Sequence, residues 1–134
     1  MVLGIGIDIV QLSRFHHLLK KHGLQSVFAL RLASRVLHHT ELKRFQKFQF
    51  SDDIEQCVRL ISGSWAAKEA VYKTLDGPEQ ARFEFKLWYR YHIKGKPYVW
   101  SDEYGKPEEF LHSTSHDGGV LVATVLRQER KNRE

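Results

Sequence analysis

The stretch Gly4-Ile5-Gly6-Ile7-Asp8-Ile9-Val10, near the start of the chain, consists almost entirely of apolar residues and glycine. Its β-branched residues, interrupted by two glycines, are typical of a buried strand, which we expect over residues 2–10. Asp8 interrupts the apolar run, and a carboxylate in such a position is costly to bury unless a partner satisfies it. The sequence therefore predicts a strand that contains one acid in need of a partner.

Helical patterns follow this strand. A first helix is expected over residues 13–22, because Gly23 supplies a stop signal directly after it. Apolar spacing predicts a short helix or two helical turns over residues 28–37. A third helix is expected over residues 40–48, with Thr40 as its N-cap.

The longest predicted helix covers about residues 54–75, and Ser51-Asp52-Asp53 precedes it as a capping segment. Gly63 lies in the middle of this helix and weakens it by about 1 kcal/mol relative to alanine. Because a glycine has no side chain, we expect a neighbouring element to approach the helix closely at that point.

The second half of the chain has strand patterns. Apolar and polar residues alternate over residues 83–92, which predicts a strand, and Gly95-Lys96-Pro97 is expected to turn the chain. Two further strands, over residues 109–115 and 120–126, are expected to form a hairpin around Asp117-Gly118-Gly119.

Helices therefore cluster in the first half and strands in the second, with one strand at the start. This arrangement predicts an α+β fold in which an antiparallel sheet packs against a long central helix. A length of 134 residues suits one domain. We expect that domain over residues 1–126, followed by a charged and frayed tail over residues 127–134.

The composition excludes several classes of protein. A single cysteine, Cys57, rules out an intrachain disulfide and a cysteine-based metal site, and it fits a reducing compartment. The apolar runs are too short to span a membrane, so no membrane association is expected. Met1 leads directly into the strand pattern, so no targeting segment is visible.

Charge is concentrated in the first half. Residues 11–50 contain eight Lys or Arg and one acid, Glu41, which gives that segment a net charge of +7 in a chain whose total is +5. Such a patch suits an anionic partner, which can be a nucleic acid, an acidic protein or a phosphorylated ligand. A solvated helical face with excess charge is the alternative.

Asp8 and Glu69 are the candidate metal ligands. Glu69 lies in the helical stretch Trp65-Ala66-Ala67-Lys68-Glu69-Ala70-Val71-Tyr72-Lys73. Mg²⁺ typically takes one or two carboxylates together with substrate phosphates, and lysines beside them neutralise phosphate charge. The residues therefore suggest phosphoryl transfer. The alternative is a salt bridge between Glu69 and Lys73, with Asp8 capping a turn and the lysines exposed.

A second candidate segment is His112-Ser113-Thr114-Ser115-His116. Hydroxyl groups and imidazoles at a strand end, just before a glycine turn, form a plausible phosphate-binding edge. No nucleophile-elbow pattern supports serine chemistry there.

These motifs together resemble the holo-acyl-carrier-protein synthases, the small phosphopantetheinyl transferases. The matching segments, in the family's order, are Gly4 to Val10 with Ser13-Arg14-Phe15, Arg35-Val36-Leu37 with Glu41-Leu42, the helix motif Trp65 to Lys73, Gly95-Lys96-Pro97-Tyr98, and Ser113-Thr114-Ser115-His116. Each motif is weak alone, and the five together cover essentially the whole chain.

The resemblance implies Mg²⁺-dependent transfer of phosphopantetheine from coenzyme A (CoA) to a serine of an apo-acyl carrier protein, with release of adenosine bisphosphate. It implies that Asp8 and Glu69 bind Mg²⁺, and that Glu69 helps to deprotonate the serine, directly or through a water on the metal. Lys73 would stabilise the transferring phosphates. Together with Lys73, the residues expected at CoA are Lys68, Gly95, Lys96, Pro97, Ser115 and His116.

The family resemblance also implies partners. Arg14 resembles the arginine that docks the acidic helix of an acyl carrier protein, and Lys21, Arg31 and Arg35 belong to the same basic segment. A homotrimer with CoA between subunits is expected, because one chain of this size has little surface with which to enclose CoA. The compartment is expected to be the cytoplasm or the mitochondrial matrix, and the Trp-led helix motif favours the mitochondrial type.

The sequence also departs from the family pattern. Ser64 stands where the family often has an arginine, and a second triplet, Gly105-Lys106-Pro107, occurs in a short segment where relatives place a helix. We expect a loop or a trimmed helix there. Two other functions stay open, namely a non-catalytic CoA-binding relative and a basic nucleic-acid-binding module. We expect no nucleic acid as partner.

Overall fold

The computed structural model describes residues 1–131, which form one five-stranded antiparallel sheet and five α-helices. The strands are β1 (Val2–Gln11), β2 (Tyr89–Ile93), β3 (Lys96–Trp100), β4 (Glu108–Asp117) and β5 (Val120–Glu129). The helices are α1 (Leu12–His22), α2 (Val27–Val36), α3 (His39–Phe50), α4 (Ile54–Thr74) and α5 (Gly77–Ala81).

The strands are ordered β1-β5-β4-β3-β2, and each neighbouring pair is antiparallel. β4 and β5 form the predicted hairpin, in which Gly118 and Gly119 have φ angles of 56° and 79°. Because other residues rarely adopt these angles, the two glycines allow the tight turn. The α+β expectation, with an antiparallel sheet against a long helix, is confirmed.

The long helix α4 lies directly on β1 and β5, and two glycines of β1 make this possible. A Cβ atom added at Gly6 would lie 1.9 Å from the carbonyl oxygen of Ala70, and one at Gly4 would lie 2.8 Å from that of Thr74. The small residues Ala66, Ala67 and Ala70 of α4 are fully buried. This close packing places the C-terminal part of α4 beside the strand that carries Asp8.

Most helix boundaries agree with the sequence patterns, but one cap does not. Asp53 caps α4 by accepting a hydrogen bond from the Gln56 amide, as expected. The N-cap of α3 is His38 rather than Thr40, and Glu41 completes a capping box by accepting from the His38 amide. The histidine supplies the acceptor because its Nδ1 lies 3.3 Å from the Thr40 amide nitrogen.

The strand expected over residues 83–92 is wrong in its first half. Phe85–Leu87 forms a turn of 3-10 helix, and the strand begins only at Tyr89. Aromatic packing explains the difference: Phe85 stacks on Trp65, and Phe83 lies edge-on to Tyr72, both on α4. Because these rings pack against α4, the segment does not form the strand that its alternating pattern predicts.

The tail expected from residue 127 is also corrected. β5 continues to Glu129, and the Arg127 side chain is 4% exposed. Its Nε donates to Glu108 at 2.7 Å and its Nη1 donates to the carbonyl of Thr74 at 2.9 Å. The buried ion pair therefore joins β5 to β4, and the hydrogen bond to Thr74 ties β5 to the end of α4. The rest of the expected tail, residues 132–134, lies outside the described residues.

Residues 101–107, between β3 and β4, form the expected loop in place of a helix. Within residues 1–131, no helix is long and apolar enough to cross a membrane.

Candidate active site

Asp8 lies on β1, which is an edge strand of the sheet. Ile5, Ile7 and Ile9 are 69%, 56% and 65% exposed, so the expectation that this strand is buried holds for only one of its faces. Since side chains alternate along a strand, Asp8 shares the helix-facing side with Gly6. Its carboxylate is 16% exposed and lies beside α4.

Lys73 reaches this edge from α4. Its Nζ donates to the carbonyl oxygen of Ile7 at 2.7 Å and lies 3.4 Å from Oδ1 of Asp8. Lys73 on α4 thus pairs with Asp8 on β1. The sequence analysis predicts that this acid needs a partner, and Lys73 is that partner. The Lys73 side chain is 48% exposed, which leaves its ammonium accessible to a ligand.

Glu69 lies on α4 one turn before Lys73 and is partly buried. Burial raises the pKa of the Glu69 carboxyl above its usual value, and the negative charge of Asp8 raises it further. The Lys73 and Arg14 cations oppose this shift. The structure therefore brings three of the predicted residues, Asp8, Glu69 and Lys73, into one electrostatic cluster.

The donor set of this cluster fits Mg²⁺. Two carboxylates whose charges repel each other provide oxygen ligands that a hard divalent cation would compensate. Residues 1–131 contain no group of three or more His, Cys, Asp or Glu side chains arranged to hold a metal ion. A site with two carboxylates accordingly leaves coordination positions for substrate phosphates and water, as Mg²⁺ usually requires.

Lys68 requires a correction. It was expected near the CoA phosphates or exposed to solvent, but its side chain is fully buried. Its Nζ donates to the carbonyl of Val36 and to Oε1 of Glu41, both at 2.7 Å. Burial lowers the pKa of Lys68 to about 8, although Glu41 opposes this shift. The sequence analysis names Glu41 as the single acid of the basic segment and as part of a family motif, but it does not predict its pairing with Lys68.

The segment at the end of β4 divides between the two faces of the sheet. Register places Thr114 opposite Ala123, which in turn faces Asp8, so these residues share one row. His116 lies on the same face, two residues further along β4, and is exposed. Ser115 belongs to the opposite face by alternation. Within one chain, the strand therefore presents His116, but not Ser115, on the side of Asp8.

Gly95, Lys96 and Pro97 lie at the turn between β2 and β3, near the other edge of the sheet. Gly95 has a φ of 78°, which the turn requires. β3 is three strands from β1, or roughly 14 Å at the usual strand spacing. A single chain therefore does not bring this turn to Asp8.

The predicted docking residues Arg14, Lys21, Arg31 and Arg35 are all exposed on α1 and α2. Arg14 also makes a cation–π contact with α4, because its guanidinium carbon lies 5.2 Å from the ring centroid of Trp65. Together with its effect on the pKa of Glu69, this contact puts Arg14 between the basic surface and the acidic cluster.

Known proteins share this sequence and fold. A family model described as the 4'-phosphopantetheinyl transferase superfamily matches residues 4–125. A mitochondrial holo-acyl-carrier-protein synthase from Candida glabrata is 32% identical over 149 residues, covering 98% of this chain and 97% of that protein. A holo-acyl-carrier-protein synthase from Mycoplasma mobile is 29% identical over 126 residues, covering 94% of this chain and 90% of that protein.

A solved structure gives the same result. The holo-acyl-carrier-protein synthase from Bacillus anthracis, in complex with CoA (3',5'-ADP), is 26% identical and has a TM-score of 0.70. The match covers 96% of this chain and 98% of that chain. With the helix motif from Trp65 to Lys73 placed against Asp8, the chain therefore belongs to the 4'-phosphopantetheinyl transferase superfamily and is a phosphopantetheinyl transferase similar to the holo-acyl-carrier-protein synthases.

Proposed function

We propose that this enzyme is a Mg²⁺-dependent holo-acyl-carrier-protein synthase, which transfers phosphopantetheine from CoA to a serine of an apo-acyl carrier protein and releases adenosine bisphosphate. The observation that carries the proposal is the meeting of Asp8, Glu69 and Lys73 where β1 contacts α4. The names of the relatives support the same acceptor, and the CoA complex of the Bacillus anthracis protein supports the same donor.

Asp8 and Glu69 are the residues that would hold the metal. When bound, Mg²⁺ would neutralise the charge that develops on the bridging and leaving oxygens during transfer. Lys73 would add a further positive charge at the phosphates, because its ammonium is half-exposed and already beside Asp8. The three side chains would thus stabilise charge around a diphosphate.

Glu69 is the candidate base. Its raised pKa brings the carboxylate closer to the operating pH, which favours proton acceptance from a hydroxyl. The serine oxygen bonds to the β-phosphorus of CoA while its proton passes to Glu69, and the bond from that phosphorus to the bridging oxygen breaks. The products are phosphopantetheinyl-serine and adenosine bisphosphate.

The basic surface of α1 and α2 would dock the acyl carrier protein. Arg14, Lys21, Arg31 and Arg35 are exposed there, and an acidic helix would complement their charge. Arg14 also contacts Trp65 on α4, so a carrier protein docked at Arg14 would lie beside the acidic cluster.

A homotrimer with CoA between subunits would explain why predicted CoA-binding residues lie far from Asp8 within one chain. The turn Gly95-Lys96-Pro97 lies far from Asp8 within a subunit, and a neighbouring subunit would supply this turn or the His116 edge. The exposed row Ile5, Ile7 and Ile9 provides an apolar face for such an interface. Light scattering that gives the mass of a monomer at micromolar concentration would reject this assembly.

The compartment is proposed to be the mitochondrial matrix, with the bacterial cytoplasm as the alternative. The Candida glabrata relative is described as mitochondrial, whereas the Mycoplasma mobile relative is bacterial, and the two have similar identities to this chain.

Intact-protein mass spectrometry of an apo-acyl carrier protein, incubated with this chain, CoA and Mg²⁺, tests the proposal. The expected result is a mass gain of one phosphopantetheine that is abolished by EDTA and by Glu69→Ala. CoA binding without any mass gain would instead indicate the non-catalytic relative. Salt-dependent binding of DNA or RNA that is unaffected by Asp8→Ala, without CoA binding, would indicate the nucleic-acid module.

A further inference from the structure

A buried polar cluster includes Lys68, the residue of α4 that directly precedes Glu69. Its centre is the ion pair between Lys68 and Glu41, whose side chains are 0% and 7% exposed. The second acceptor of the Lys68 ammonium is the carbonyl of Val36, at the last residue of α2. One side chain of α4 is thus tied to the end of α2 and to the start of α3.

Glu41 uses both of its carboxylate oxygens. Oε1 accepts from Lys68 and from the His38 amide, at 2.7 Å and 3.1 Å. Oε2 accepts from the hydroxyl of Ser64 at 3.0 Å and lies 3.5 Å from Nε of Arg90. The carboxylate is therefore held by groups from the α3 cap, from α4 and from β2.

Arg90 reaches this cluster through a space that Gly63 leaves open. A Cβ atom added at Gly63 would lie 2.8 Å from Nη1 of Arg90. This is the close approach by a neighbour that the glycine predicted. Ser64, which stands where the family often has an arginine, donates to Glu41. Gly63 and Ser64 thus both serve this cluster.

The cluster fixes the side chain that directly precedes Glu69 on α4. Successive residues of an α-helix are about 100° apart around the axis, so Lys68 and Glu69 project to different sides of α4. Since Lys68 is fixed by two short hydrogen bonds, rotation of α4 about its axis is restricted. Glu69 is consequently held towards Asp8, which lies on the neighbouring strand.

We propose that Lys68 and Glu41 are positioning residues, which orient α4 so that the Glu69 carboxylate meets Asp8, and that Lys68 does not contact CoA. The inference rests on the proposed metal site at Asp8 and Glu69. Replacement of a buried ion pair by neutral residues of similar size is often tolerated for stability. Positioning and stability can therefore be separated by experiment.

The test uses the double variant Glu41→Gln with Lys68→Met. Glutamine keeps one carbonyl oxygen as acceptor for the His38 amide, its Nε2 can donate to the Ser64 hydroxyl oxygen, and methionine keeps the length of the lysine stem. We expect the variant to fold, with a circular dichroism spectrum like that of the wild type. We expect its Kd for Mn²⁺, measured by electron paramagnetic resonance, to rise at least about tenfold, because supporting residues of metal sites have effects of this size.

Kinetics distinguish positioning from contact with the substrate. The double variant should lower kcat by about tenfold or more while the KM for CoA changes by less than about twofold. A higher KM for CoA with unchanged Mn²⁺ affinity would overturn the proposal and return Lys68 to the CoA site. Unchanged Mn²⁺ affinity and kcat in the folded variant would also overturn it.

Two controls complete the experiment. Lys86→Met changes a lysine that is 58% exposed and should leave Mn²⁺ binding and kcat unchanged. Ser64→Ala, which removes one hydrogen bond to Glu41 and leaves the buried ion pair intact, should weaken Mn²⁺ binding in the same direction if the double variant does not fold. Wild-type chain that binds no Mn²⁺ would reject the proposed metal site together with this inference, whereas wild-type binding that Asp8→Asn abolishes confines any failure to the inference.

Discussion

Nζ of Lys73 lies 3.4 Å from Oδ1 of Asp8, on a strand 65 residues earlier in the sequence. The same ammonium donates to the carbonyl of Ile7, so the lysine bridges the side chain and the backbone of the edge strand. This contact brings a cation from the helix motif to the acid of the first strand. It provides the positive charge that a diphosphate would meet beside the two carboxylates.

Substitution Lys73→Met should lower kcat for phosphopantetheine transfer by about a hundredfold, the size of loss seen when one charge-stabilising donor is removed. The side chain is half-exposed, so the fold should be retained. Mass spectrometry of the carrier protein measures the rate. Lys73→Arg is the matched control, since it keeps the charge, and it should lose less activity. Equal losses in both variants would indicate a requirement for lysine geometry rather than for charge.

Substitution Asp8→Asn should abolish Mg²⁺-dependent turnover and leave the fold intact. It should also lower the pKa of Glu69, because the negative charge of Asp8 contributes to the raised value. Carboxyl carbon shifts in a nuclear magnetic resonance titration of the metal-free protein report this pKa. A Glu69 pKa that stays raised would show that burial alone causes the shift, and metal-dependent activity in Asp8→Asn would reject the metal role.

Substitution Arg14→Glu should weaken carrier-protein binding much more than CoA binding, because a like charge would face the acidic partner. Arg14 also lowers the pKa of Glu69, so its replacement by an acid should raise that pKa further. Isothermal titration with each substrate separates the two affinities. Arg59→Glu on α4 introduces the same charge change outside the predicted docking set and serves as control. Equal loss of both affinities in Arg14→Glu would contradict the docking role.

The burial of His112 predicts that the stability of the protein depends on pH. Its side chain is buried, neither ring nitrogen has a hydrogen-bond partner, and burial lowers its pKa from 6.5 to about 4, with Arg90 and His92 adding to the shift. Between these two pH values the unfolded chain binds a proton that the folded chain does not. Stability should therefore fall by about 3 kcal/mol as the pH falls from 6.5 to 4.

Urea unfolding at several pH values measures this dependence. The variant His112→Leu cannot titrate at this position and should lose that part of the pH dependence while it remains folded at neutral pH. An identical pH profile in the variant and the wild type would show that other groups cause the loss of stability in acid.

The close contact between Gly6 and α4 predicts that a larger residue at this position destabilises the protein. An alanine at this position would place its Cβ atom 1.9 Å from the carbonyl oxygen of Ala70, so α4 must move away from β1. We expect Gly6→Ala to lower the free energy of unfolding by at least about 3 kcal/mol, the upper range for overpacked cores. Gly77→Ala is the control, since nothing lies within 4 Å of its Cβ position, and it should change stability by less than about 1 kcal/mol. Similar stabilities of the two variants would contradict the close contact.

The sequence patterns predicted the helices and the hairpin well, because these depend on local signals. Asp53 caps α4 as expected, and Gly118 and Gly119 form the turn that their order suggested. The patterns failed where distant groups compete with local preference. Residues 83–88 alternate as a strand does, but their aromatic rings pack against α4. Arg127 begins a charged segment that resembles a tail, but its side chain forms an ion pair with Glu108.

The candidate site was predicted in its chemistry but only partly in its geometry. Asp8, Glu69 and Lys73 were identified from residue type and motif, and the fold brings them together. Lys68 has the same sequence signals as Lys73, yet its side chain is fully buried and pairs with Glu41 on another helix. No local pattern distinguishes the two lysines.

Sequence patterns alone predict the order of elements, the acids and cations of the helix motif, and the family to which the chain belongs. These properties depend on residue type and short-range spacing, which a linear pattern contains. The folded structure is needed to show that β1 is an edge strand, that Lys73 reaches Asp8, and that Lys68 pairs with Glu41. These outcomes depend on distances between residues far apart in the chain, which are set by packing of α4 on the sheet through Gly4 and Gly6.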